Sequence, residues 1–125
     1  MPAKKMIQAG SGFLLLAVIL GAFGAHGLKD QVTGKFLETY KTGIDYQYYH
    51  GFGILILGLL QQSFENIQLK KSFLAFSLGI FLFSFNCYLY AILKVKLFAM
   101  IVPLGGLAFI MGWCFLFIEF KKGSR

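Results

Sequence analysis

The sequence predicts an all-α membrane protein: an antiparallel bundle of four transmembrane helices joined by short loops. Three observations carry that expectation. Of 125 residues, 58% are hydrophobic and only 14% are charged, against roughly a quarter charged in a soluble domain. Mean hydropathy is +0.71. The apolar residues fall into four stretches, about 6–25, 44–62, 72–93 and 97–119, with no charge in the middle of any. Each is near the ~20 residues that cross ~30 Å of hydrocarbon. Lipid offers backbone groups no partner, so spanning segments must close their own hydrogen bonds as helices, and strand-like alternation is missing. Short connections turn successive helices back on one another. A chain this apolar is not disordered, has too little polar surface for a water-soluble enzyme, and makes one domain.

In the first stretch, Lys4 and Lys5 precede the apolar run Phe13–Leu20 and the small residues Gly21–Ala25. That order also has the form of a secretory signal. The segment is nevertheless expected to stay as a bundle helix, because Ala17, Gly21 and Ala25 recur at four-residue steps. Helices in lipid associate through close packing of such small residues. A bulky residue at Gly21 is therefore expected to push the first helix off its neighbour.

The longest connection is 28–43. Beyond it Phe36, Leu37, Tyr40 and Ile44 recur at helical spacing between Lys35, Glu38, Lys41 and Asp45, which predicts an amphipathic outward extension of the second helix. The third stretch carries Ala75, Gly79, Ser84, Cys87 and Ala91, and the fourth Gly105, Ala108 and Gly112. Packing within the chain accounts for these small residues; a homodimer seam is the alternative. Pro103 either interrupts a helix or, if that helix starts near Val102, sits in its first turn at no cost.

The net charge of +7 does not imply nucleic acid. The basic residues form short clusters flanking the apolar stretches rather than one basic face. Lys4, Lys5, Lys70, Lys71, Lys121, Lys122 and Arg125 fall on one side, against Lys29, Lys35, Lys41, Lys94 and Lys96 on the other. This bias favours cytoplasmic termini. Cys87 and Cys114 stand in apolar runs without metal-binding spacing and read as small hydrophobes.

Three segments carry a resemblance. GAFGAHGL at Gly21–Leu28, YKTGIDYQYYHGFGIL at Tyr40–Leu55 and IVPLGGLAFIMGW at Ile101–Trp113 are similar in sequence and order to a small bacterial membrane-protein family that includes YwdK and YgdD. FLFSFNCYLYAI at Phe81–Ile92 resembles the family's third-helix stretch but departs from it: Ser84, Phe85, Asn86 and Cys87 stand where the family has Ser-Gly-Ser. The resemblance implies a four-helix protein of the bacterial plasma membrane. It brings no activity and no catalytic residues.

In the antiparallel arrangement the first and third connections share one side of the membrane. His26, Tyr46, Tyr49, His50, Asn86, Pro103, Gly105 and Gly106 then gather in the same outer third, and the opposite half reads as nearly featureless hydrocarbon. A structural hydrogen-bond network explains the cluster, since buried polar groups need partners. A pocket for a small ligand or lipid headgroup competes with that reading. A haem held by His26 and His50 would need both rings across one gap, and a metal site has no recognisable spacing. The expectation is therefore no metal, no cofactor and no catalytic residue: no Ser-His-Asp order, metal motif or phosphate loop is present. The function expected is a non-enzymatic bundle that binds membrane lipids or supports other membrane proteins, with homo-oligomers open to it. A small oligomeric transporter or channel is the alternative, weakened because no acid lies mid-span.

Overall fold

Every regular element among the described residues, 2–28 and 30–123, is helical in the computed structural model of the chain. Helix α1, Ala3–Phe23, runs into a π-helical turn at Gly24–Leu28. Helix α2 is Lys35–Ser63, so the amphipathic stretch from Lys35 does join the second helix. Helix α3, Lys70–Gly79, a second π turn at Ile80–Ser84 and α4, Phe85–Leu93, form one continuous rod. Helix α5, Lys96–Gly123, begins before Val102 and leaves Pro103 inside it. The first-turn alternative for Pro103 therefore fails, and the ring removes the backbone bond to the Ala99 carbonyl.

Among the described residues three rods are long and apolar enough to cross a membrane: Ala3–Leu28, Lys70–Leu93 and Lys96–Lys121. With 29 residues, α2 is about 43 Å long but carries more polar side chains. Packing explains the difference. The most apolar part of the 70–93 rod is 44% buried, against 17% for the first rod and 22% for the last. Helix α1 packs on α2, α2 on the 70–93 rod, and that rod on α5. The two inner helices meet protein where the outer two leave large apolar side chains exposed, so α2 can carry the buried Gln47 and His50.

Close backbone approach fixes these contacts. A Cβ on Gly10 of α1 would lie 2.7 Å from the Leu55 nitrogen of α2. One on Gly43 of α2 would lie 2.8 Å from Cys87 Cβ and 3.0 Å from the Ser84 carbonyl. The 70–93 rod thus packs tightly despite its departure from Ser-Gly-Ser, because α2 supplies the missing small residue. Between α3 and α5 the contact is reciprocal: Phe109 fills the notch at Gly79, and Phe76 fills the notch at Gly112. The Ala17, Gly21 and Ala25 ridge is less uniform. Ala17 is fully buried, Gly21 half-buried and Ala25 exposed. A Cβ on Gly21 would meet only Ile44 Cγ2 at 3.7 Å and Tyr48 Oη at 4.0 Å, which is ordinary contact. Gly21 is not a tight notch, and a methyl group there displaces nothing.

The end of the bundle expected to be featureless holds a polar clasp. The Gln61 amide donates to the Ile67 carbonyl at 2.6 Å and accepts from the Leu69 N–H at 3.1 Å, while Gln68 N–H donates to Glu119 at 3.1 Å. These bonds satisfy the backbone of the 64–69 connection and let Ile67 and Leu69 bury.

Candidate functional site

The polar residues of the inner helices resolve into three separate arrangements. The first is centred on His50, one of the few polar side chains buried in the bundle. Trp113 Nε1 donates to His50 Nε2 at 3.0 Å. An indole nitrogen can only donate, so Nε2 accepts and the proton sits on Nδ1. That nitrogen donates to the Tyr46 carbonyl one turn back at 2.8 Å. The ring also stacks on Phe109, with centroids 3.6 Å apart and planes at 7°, and meets the edge of Phe76. Both ring nitrogens are committed, so His50 is held as a neutral linker between α2 and α5.

The second arrangement joins three helices. Gln47 is fully buried. Its amide nitrogen donates to the Phe13 carbonyl of α1 at 2.8 Å, and its oxygen accepts from the Tyr88 hydroxyl of α4 at 2.6 Å. Close by, the Tyr40 hydroxyl donates to the Leu20 carbonyl of α1.

The third serves the second π turn. A π turn spreads the preceding carbonyls away from their regular α-helical partners. Asn86 Nδ2 donates to two of them, Leu82 at 2.9 Å and Phe81 at 3.2 Å. Asn86 thus stabilises backbone inside its own rod.

Of the eight residues expected to cluster, four line one groove of about 630 Å³: Tyr46, His50, Pro103 and Gly106, together with Phe83, Phe109 and Trp113. The groove is mainly apolar and lies between α2, the second π turn and α5. Tyr46 forms its side wall, stacked on Phe83 at 4.5 Å. Gly105 faces inward, against the backbone of Leu82 and Phe83. Tyr49 is exposed, and its ring contact among the described residues is with Tyr46. His26 is exposed in the first π turn, and among the described residues it makes no hydrogen bond or ring contact. His50 is thus bonded at both ring nitrogens between α2 and α5, while His26 lies in the first π turn at the end of α1. Among the described residues no group of three His, Cys, Asp or Glu side chains could hold a metal ion.

Residues 20–106 match the model of a family described as a protein of unknown function, DUF423. The chain is 37% identical over 121 residues to the UPF0382 membrane protein YwdK of Bacillus subtilis, covering 95% of this chain and 98% of that one. It is 36% identical to a UPF0382 membrane protein of Staphylococcus epidermidis, covering 95% and 97%. The chain belongs to this family. A Staphylococcus haemolyticus member is 34% identical over the same share of this chain. No solved structure matches. Family membership agrees with the resemblance read from Gly21–Leu28, Tyr40–Leu55 and Ile101–Trp113, and the relatives are named as membrane proteins.

Two partners in this architecture escaped the sequence. Gln47 reads as one more polar residue in a tyrosine-rich stretch. Trp113 reads as part of the Gly-Trp segment, although its position on the fourth apolar stretch, level with the groove, is what satisfies His50.

Proposed function

We propose that the chain is a non-enzymatic, four-span antiparallel bundle of the bacterial plasma membrane that holds a lipid acyl chain against its side. Antiparallel packing is supported by the register of the notches. Gly79 and Gly112 receive Phe109 and Phe76, and Gly10 and Gly58 lie against Leu55 and Ile7, so residue numbers rise on one helix as they fall on the next. Four spans are supported by the length of α2 and its enclosure by the other helices. Cytoplasmic termini follow from the Lys/Arg bias.

The observation that carries the lipid reading is the groove beside His50. It is apolar, has the volume of a ligand site, and its one buried ionisable group is already bonded at both nitrogens. Such a surface offers contact area and no free base for proton transfer. A flexible hydrocarbon chain suits it.

Trp113 lines the groove and is the only tryptophan, so its fluorescence reports occupancy. Phospholipid with brominated acyl chains, titrated into the detergent-solubilised protein, is expected to quench Trp113 saturably. Gly106→Leu is expected to abolish the saturable phase, because a Cβ at Gly106 meets only Phe83 Cδ2 at 4.0 Å and the side chain fills the groove. Quenching that rises without saturation, equally in both proteins, contradicts the reading.

A further inference from the structure

A second cavity lies on another face of α2. It is half-enclosed, has a volume of about 220 Å³, and opens between the end of α1 and the first turns of α2. Gly21, Gly24 and Ala25 form its floor. Tyr40 forms a fixed wall: its ring stands on Gly24, where a Cβ would lie 2.5 Å from Cε1, and its hydroxyl is tied to the Leu20 carbonyl. Lys41 and Asp45 line the same cavity with opposite charges one helical turn apart. Both are exposed, and among the described residues neither makes an ion pair.

From this geometry we infer that the cavity is a binding site for the phosphoethanolamine headgroup of a zwitterionic phospholipid. Position is the first argument. The apolar rod of α1 ends at Leu28, so the cavity stands where hydrocarbon gives way to headgroups. Charge is the second. Lys41 meets the phosphate, and Asp45 meets the primary ammonium, whose N–H groups donate to the carboxylate. Size is the third: the cavity falls below the ~300 Å³ of ordinary small-molecule pockets, enough for a headgroup and too small for a larger ligand.

Lys41 and Tyr46 stand about 140° apart round α2, so this site and the acyl-chain groove are separate and are tested separately.

The test uses the full chain in detergent with equimolar phosphatidylethanolamine, phosphatidylglycerol and phosphatidylcholine of matched acyl chains, read by native mass spectrometry. Phosphatidylethanolamine is expected to be retained about three- to fivefold over the other two, the worth of one partly exposed ion pair. Phosphatidylcholine has no N–H for Asp45, and phosphatidylglycerol has no cation. Asp45→Asn is expected to lower phosphatidylethanolamine to the level of phosphatidylcholine and leave phosphatidylglycerol unchanged. Lys41→Gln is expected to lower all three lipids, since each carries the phosphate. Gly21→Leu fills the cavity floor and is expected to abolish the preference, whereas Gly106→Leu keeps it. Equal retention of the three lipids by the unaltered chain overturns the inference, as does an unchanged preference in Asp45→Asn. Competition by soluble glycerophosphoethanolamine at the same concentration overturns the assignment to a lipid.

Discussion

Gly105 and Gly106 are adjacent on α5, yet alanine should act on them in opposite directions. In a helix interior, replacing glycine by alanine contributes about 1 kcal/mol through the smaller loss of backbone freedom. At Gly106 little opposes that gain, since the nearest atom to a new Cβ is Phe83 Cδ2 at 4.0 Å. At Gly105 the new Cβ would collide with the Phe83 nitrogen and lie 2.6 Å from Phe83 Cβ and 2.7 Å from the Leu82 carbonyl carbon. Two of these are backbone atoms of the second π turn, so no rotamer change relieves the contact and the two rods must part. Overpacking of this kind costs about 1–3 kcal/mol and parting also weakens neighbouring contacts. The expected outcome is Gly106→Ala more stable by about 0.5–1 kcal/mol and Gly105→Ala less stable by about 1–2 kcal/mol. Reversible unfolding in mixed micelles with a rising fraction of sodium dodecyl sulfate, followed by circular dichroism, measures both. Equal shifts of the same sign would refute the seating of the π turn on Gly105.

Three further outcomes follow from the polar arrangements. Trp113→Phe removes the donor to His50 Nε2 and should cost about 1–2 kcal/mol; in a double-mutant cycle with His50→Phe, a coupling near zero would show that the bond carries nothing. Asn86→Leu leaves the Phe81 and Leu82 carbonyls without their amide and should cost about 1 kcal/mol in the same unfolding assay, where an unchanged midpoint would contradict the backbone role given to Asn86. Gln47→Leu strands the Tyr88 hydroxyl and should destabilise more than the pair Gln47→Leu with Tyr88→Phe, so additive losses would argue against a shared network.

The helices were legible because composition and run length read directly onto residues that face lipid. Helix α2 was legible from its apolar stretch and from the helical spacing of Phe36, Leu37, Tyr40 and Ile44, but not the reason its buried face carries Gln47 and His50, which is set by the helices packed around it. The gathering of Tyr46, His50, Pro103 and Gly106 at one groove could be reasoned from alternating direction alone. Asn86 is taken up by the carbonyls of the second π turn and Gly105 by close approach to the same turn's backbone, and no residue pattern in Ile80–Ser84 announces a π turn. The helix notches were half visible. Gly112 stood in a small-residue series, but its partner is a phenylalanine set by the mirrored spacing Phe76-x-x-Gly79 and Phe109-x-x-Gly112. That mirrored pair is a signal a sequence reading could use. Gly21 misled for the opposite reason: four-residue spacing identifies a face, not the distance to whatever lies across it.

The central claim is a lipid-holding bundle rather than a pore. It is tested most directly by extracting the chain from its own membranes into lipid nanodiscs and reading the released complex by native mass spectrometry. The account predicts a chain that retains lipid in stoichiometric amount, with retention reduced in Gly106→Leu. A bare symmetric oligomer that keeps no lipid would contradict it and point instead to a transporter or channel.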